Sequence, residues 1–169
     1  MDSPRRHGDT ERDLITRATP ISKLAGLLRT SPNLVHPHDS IYSLALASAA
    51  SPMNRVVCVV DFQGTLLGLV PLAAIIENVF FEVGQASREV FAGEQDSTGA
   101  PGAPGETARD LMEAPLWVRP QDTVKDVVDR VLEAHLDGLP IVDGAMRVIG
   151  YVDAVELLGL WLGHSTARA

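Results

Sequence analysis

Residues 150–158 read GYVDAVELL, and residues 68–76 read GLVPLAAII. Each is a glycine, a short apolar strand end and the opening of a helix, and the two stand 82 positions apart (150 − 68 = 82). They differ in one chemical respect: Asp153 and Glu156 are acids, whereas Pro71 and Ala74 hold the equivalent positions. A junction built twice in a chain of 169 residues points to a duplication, and the flanking sequence extends it.

Around the later copy the elements are readily assigned. LWVRP (116–120) is a short strand that stops at a proline. Asp122 or Thr123 caps the helix that follows, with Asp126 in the first turn, where the helix dipole favours an acid. Val124, Val127, Val128, Val131, Leu132 and His135 fall at i, i+3, i+4, i+7, i+8 and i+11, one face of an amphipathic helix. Gly138 stands where a C-terminal cap is expected. LPIVD (139–143) and MRVIGYV (146–152) are strands about Asp143-Gly144, a hairpin signal. A last helix opens near Asp153 and runs to about Leu162, giving the order β-α-β-β-α.

The earlier copy repeats this order. Val35, Pro37 and Asp39 align with Val118, Pro120 and Asp122 (118 − 35 = 83). Val60, Asp61, Gly68 and Val70 align with Val142, Asp143, Gly150 and Val152 at an offset of 82. The one-residue slip falls in or beside SPMNR (51–55), read as a loop. A unit of roughly 50–60 residues buries too little surface to stand comfortably alone, so two are expected to cover each other's apolar sheet faces. The fold class is therefore α/β (α+β), two β-α-β-β-α repeats packed through their sheets about a pseudo-twofold axis, with clefts between the halves. The organisation reads as a flexible arm (1–19), a first repeat (20–83), a Gly/Pro/Ala-rich linker (84–106), a second repeat (107–163) and a tail (164–169).

Composition narrows the function. The net charge of −8 argues against a nucleic-acid or anionic-membrane surface, either of which needs clustered Lys and Arg. Cys58, the single cysteine, lies in the apolar run RVVCVVD and reads as a buried strand residue rather than a reactive thiol. The polar start MDSPRRHGDTERD has no apolar region of the kind a secretory signal needs. Phe62 to Ile76, the longest charge-free apolar stretch, is shorter than the roughly 20 residues of a membrane helix. These features are those of a soluble, cytoplasmic protein.

The motifs DLM (110–112), VRPQDTV (118–124), LPIVDG (139–144) and VIGYVDAVEL (148–157) resemble the cystathionine-β-synthase (CBS) domain, and the duplication resembles its tandem pair, the Bateman module. That resemblance implies a regulatory module rather than a catalyst, with no catalytic residues, metal or cofactor. It implies flat homodimers and adenosine-containing ligands (AMP, ADP, ATP or S-adenosylmethionine) in the clefts. The family places a hydroxyl residue and, three positions on, an aspartate at the last strand-to-helix junction, where the carboxylate accepts from ribose hydroxyls. Carried onto this chain, Glu156 takes the ribose position on a longer stem and Asp153 replaces the hydroxyl residue. Asp153 is a good helix cap but repels the phosphate that a helix N-terminus attracts. Glu113, where the family often has threonine, adds a second negative departure. Val152, Gly138, Leu139 and Pro140 from the second half, with Arg55 and Val57 from the first, are implied to complete this pocket, and Arg55 is the cation placed to approach a phosphate. Pro71 and Ala74 cannot bind ribose or phosphate, so at most one cleft is expected to be competent.

Each sharp reading has a plain rival. Glu156 is either a ribose ligand or a solvated helix residue, and Asp153 reads first as an N-cap. His36, His38 and Asp39 in HPHD suggest zinc, but Asp39 is wanted as a cap and a structural site needs four ligands. His135 reads as a residue at the edge of the core. No nucleophile–base, phosphate-loop or H-E-x-x-H pattern is present. IIENVFFEV (75–83) and ELLGLWLG (156–163) are apolar beyond one helix face, which points to a dimer through the terminal helix of each repeat. The leading expectation is a stand-alone pair that binds an adenosine-type ligand in one cleft and signals to a separately encoded effector. The alternative is a degenerate pair that binds no nucleotide and serves as a dimerisation or docking scaffold.

Overall fold

A computed structural model describes residues 15–80 and 106–166. Chain order is α1 (Ile21–Leu24), β1 (Asn33–Val35), α2 (Ile41–Ala50), β2 (Val56–Val60), β3 (Leu66–Pro71), α3 (72–80), α4 (Ala108–Leu111), α5 (Val124–Ala134), β4 (Gly138–Val142), β5 (Val148–Asp153) and α6 (Ala154–Thr166). The first sheet has the order β1-β2-β3, with β1 parallel and β3 antiparallel to β2. In the second, β4 and β5 are antiparallel. The strand expected at 116–120 is reduced to one parallel bridge between Val118 and Ile141. Its ladder cannot extend back to Leu116 because Pro140, which accepts from the Val118 amide, has no amide of its own to donate.

Alternation along the strands sorts the core into layers. Val57, Val59 and Val70 face the helices of the first repeat with Val35, Leu44 and Ile75. Leu139, Ile141 and Val152 face those of the second with Val127, Val131 and Leu157. The other faces meet: Val56, Cys58, Leu66 and Leu69 pack against Val142 and Tyr151 between the two sheets. Each half thus covers the apolar surface that the other cannot hide alone.

Local chemistry fixes the element ends. Thr123 caps α5 in a reciprocal box with Asp126, both side chains bonding the other's backbone. The helix then ends at His135, which is left-handed at φ 54° and exposed, so this histidine is a cap and not an edge of the core. Gly138 is not that cap; it opens β4. A Cβ at Gly138 would lie 2.6 Å from the Tyr151 hydroxyl and from the Val152 carbonyl, so the glycine is required by close packing. Pro71 is the last residue of β3 and pairs with Val56. The hairpin at Asp143-Gly144 forms, but as a longer loop whose left-handed residue is Met146 (φ 63°). Its counterpart 82 positions earlier is Gly64 (φ 81°). In each loop an aspartate organises the turn: Asp61 Oδ1 accepts from the Gln63 and Thr65 amides, and Asp143 Oδ1 from those of Ala145 and Arg147.

The repeats exchange their leading segments. The Ile21 and Ser22 amides donate to the Asp122 and Pro120 carbonyls, while those of Ala108 and Arg109 donate to Asp39 and Pro37. Ile21 and Leu24 are buried in the second repeat's core, and Ala108 in the first. Burial of Ile21 and Leu24 contributes on the order of 1.5–3 kcal/mol each. The expectation of a flexible arm over 1–19 fails from Ile15 onward. Ile15 is buried in that same core, and the Arg17 and Thr19 carbonyls accept from the Lys125 and Val124 amides at the start of α5. Residues 1–14 and the linker up to 105 lie outside the described residues.

Candidate functional site

The leading helices are offset by 87 residues (108 − 21) and the strand residues after them by 83 (118 − 35). The connection following α1 is therefore four residues longer than the one following α4. This difference breaks the symmetry of the two strand-to-helix junctions.

The shorter connection lies directly on β3. The Glu113 amide donates to the Leu69 carbonyl at 2.8 Å, and the Leu69 amide returns a bond to the Glu113 carbonyl at 3.2 Å. A Cβ at Gly68 would meet the Glu113 carbonyl at 2.7 Å. That junction is sealed by main chain. The longer connection, residues 25–32, stands away from β5 and leaves a cleft of about 280 Å³. Leu28, Arg29 and Thr30 form one wall, and Ile149, Gly150 and Tyr151 the other.

Glu156 lies behind that first wall, in the opening turn of α6. Its Oε1 accepts from the Arg29 amide and its Oε2 from the Thr30 amide at 3.3 Å. Asp153, buried at the end of β5, accepts through Oδ1 from the Val155 and Glu156 amides at 2.9 Å each, so it caps α6. From the other repeat the buried Asn54 donates through Nδ2 to the Ser31 carbonyl at 2.9 Å, while its Oδ1 accepts from the Val56 amide.

The remaining expected site residues divide. Val152 and Leu139 sit in the second core and Val57 in the first, all on the helix-facing sides of their sheets. Gly138 is packed against the Tyr151 phenol, and the Pro140 carbonyl accepts from the Val118 amide. Arg55 is exposed, and its carbonyl accepts from the Leu72 amide. The cation among the cleft's lining residues is Arg29, which sequence reasoning missed along with Thr30 and Asn54. Matching the two leading helices first would have exposed the longer connection.

The surroundings set the chemistry. The Tyr151 hydroxyl is buried and has no hydrogen-bond partner among the described residues, and burial raises its pKa. Burial also pushes the Cys58 thiol up to about 12, which leaves it an inert core residue. A second hollow, about 260 Å³ beside Trp117, Arg119 and Arg130, lies away from the junction. Its Arg130 is committed to the Trp117 carbonyl and the Asp122 carboxylate. Among the described residues no group of three or more His, Cys, Asp or Glu side chains is placed to hold a metal, and His36 stacks on Phe62 with ring centroids 5.1 Å apart. No described helix is long and apolar enough to cross a membrane.

The family model of the CBS domain matches residues 108–163. No curated protein matches the chain. Among solved structures, a CBS domain-containing protein from Thermotoga maritima is similar with a TM-score of 0.66 at 18% identity, over 88% of this chain and 98% of that one. The CBS-pair protein CBSX2 from Arabidopsis thaliana gives 0.65 at 18% identity, over 90% and 99%. The CBS domain pair of protein MJ0100, solved in complex with 5′-methylthioadenosine and S-adenosyl-L-methionine, gives 0.61 at 20%, over 86% and 98%. At these identities the likeness is one of fold.

Proposed function

We propose that this chain, whose residues 108–163 match the CBS-domain model and whose fold is that of CBS-pair structures, is a non-catalytic regulatory module taking an adenosine-type ligand in the cleft beside Glu156. The observation that carries the reading is the asymmetry of the junctions: one is sealed by Glu113 on Leu69, and the other keeps a cleft of about 280 Å³. That volume is close to the lower end of ligand pockets, about 300–1,000 Å³. Its walls combine the apolar faces of Leu28 and Ile149, suited to a flat base, with Arg29 at the rim. The Glu156 carboxylate, behind the Arg29–Thr30 wall and bonded to those two amides, is the acceptor we assign to ribose hydroxyls once they take the place of the amides. Two relatives of the same fold were solved with adenosine compounds, MJ0100 as above and CBSX2 with AMP. Ligand binding regulates when it favours one arrangement of the repeats over another, and the change passes to a partner protein.

A thermal-shift screen of AMP, ADP, ATP, adenosine and S-adenosylmethionine tests this. A ligand at 100 times its Kd adds about 2.7 kcal/mol, a rise of roughly 5–10 °C for a chain of this size. Glu156→Ala should abolish the shift. A hit that survives Glu156→Ala refutes the site, and five ligands without effect refute the ligand class.

One observation favours a second reading, a nucleotide-free scaffold: both Glu156 oxygens already accept from the chain's own amides. In either case we propose a homodimer through α3 and α6. Ile76 and Phe80 on the first and Val155 and Leu158 on the second are all about half exposed or more, an apolar surface of the kind that marks interfaces. Light scattering should give twice the monomer mass, and Phe80→Lys with Leu158→Lys should restore the monomer.

A further inference from the structure

The strap of residues 25–32 joins elements that belong to different repeats. At one end α1 is packed into the second repeat's core; at the other β1 pairs with β2 in the first sheet. Along the strap, consecutive residues are held from opposite sides. Glu156 of the second repeat binds the Arg29 and Thr30 amides, and Asn54 of the first binds the Ser31 carbonyl. The contacts to Glu156 span 127 and 126 positions of sequence, so they are tertiary ties and not features of a local turn.

A carboxylate that accepts two backbone N–H groups makes charge-assisted bonds, stronger than the neutral bond offered by Asn54. Its two oxygens are directed at two neighbouring donors. A vicinal diol presents the same pattern, two donors a few ångströms apart. Strap and diol therefore ask for the same two acceptor atoms. We infer that Glu156 is a latch that ties the strap to the second repeat, and that a ligand's vicinal hydroxyls exchange with the Arg29 and Thr30 amides. The exchange clause rests on the ligand reading above; the latch itself does not. Released from Glu156, the strap stays attached to the first repeat through Asn54, so exchange at one atom pair changes the tie between the repeats.

Amide exchange of the full chain, followed residue by residue by NMR, tests both clauses. Glu156→Ala should speed exchange at Arg29 and Thr30 about tenfold or more, as the loss of their acceptor requires. Cys58 and Val59 should keep their protection, which shows that the variant is folded. Glu156→Gln retains one acceptor oxygen and should deprotect mainly one of the two amides. Unchanged rates at both positions in Glu156→Ala overturn the latch. AMP that raises the Tm should speed exchange at Arg29 and Thr30; AMP that raises it and leaves both amides protected overturns the exchange while sparing the ligand reading. If none of the five compounds of the screen shifts the Tm, the exchange falls together with that reading, and Glu156→Ala still decides the latch.

Discussion

Thr65 and Arg147 pair as an antiparallel bridge, and they are the same residue of the two repeats (147 − 65 = 82). On one side the Leu66 amide donates to the Met146 carbonyl at 2.9 Å; on the other Val148 donates to Gly64 at 3.0 Å. A half-turn about the bridge interchanges the two bonds, so the pseudo-twofold axis passes between the hairpin tips. Gly64 and Met146, the left-handed residues, place those tips face to face.

Gly64→Ala should cost about 1–2 kcal/mol, because φ 81° strains any residue with a Cβ and nothing else lies near. Gly144→Ala, in the other loop, has open space and no positive φ, and should change stability by less than about 0.5 kcal/mol. Urea denaturation of both variants checks the pair; equal effects would refute the backbone argument.

Gly138→Ala places a methyl against the Tyr151 hydroxyl and the Val152 carbonyl. Because one obstacle is backbone, the second sheet must shift, at about 1–3 kcal/mol. A Tm within about a degree of the parent would show that β4 and β5 have more room than this packing allows.

Removing Gly26 to Arg29 makes the two connections equal in length. Thr30 then falls where Glu113 lies in the other repeat and should pair with Tyr151 as Glu113 pairs with Leu69. The expected outcome is a folded protein that no longer responds to any ligand found in the screen. A retained response would show that the longer connection is not what opens the cleft.

Asp61, Asp110, Asp126 and Asp143 all have pKa values held below the usual carboxylate value, chiefly by hydrogen bonds from Thr65, Thr107, Thr123 and Arg147 respectively. A depressed folded pKa contributes stability that is present above the unfolded value, about 3.9, and lost as pH falls through the folded one. The Tm should therefore be level from pH 7 to about 5 and fall below about 4. Asp61→Asn with Asp143→Asn should flatten that acid limb, and an unaltered limb would assign it to other groups.

The Cys58 thiol should resist alkylation in the native chain and react on unfolding. Its folded pKa of about 12, raised from 9.0 by burial, means that only the unfolded chain ionises this group between those values. The folded state then binds more protons, so stability declines as pH rises above about 9. Labelling of native protein at neutral pH would contradict its burial.

The repeat was legible because strand pairing and turns keep their spacing: Val60, Asp61, Gly68 and Val70 recur together 82 residues on. The capping role of Asp153 was legible because it is local, and for the same reason the cap of α5 was narrowed to Asp122 or Thr123, of which Thr123 takes it. Gly138 was misread because its glycine answers a cross-strand neighbour, Tyr151, which chain order does not reveal. Val57, Leu139 and Val152 were carried into the pocket by the family resemblance, whereas strand alternation turns their side chains to the helices. The strap was hidden because ISKL (21–24) and ARDL (108–111) share no residue pattern except their final leucine. Without matching those helices, a four-residue difference between connections cannot be seen.

The exchange of leading helices also bears on how the chain can be divided. A fragment cut between the repeats would carry a helix that fits only its sibling, and would lack the one that fits itself. Two such fragments are complementary rather than independent, and mixing them should rebuild the whole more readily than either folds by itself. The duplicated halves have in this sense become obligate: neither copy can now be discarded without leaving the survivor's core open to water.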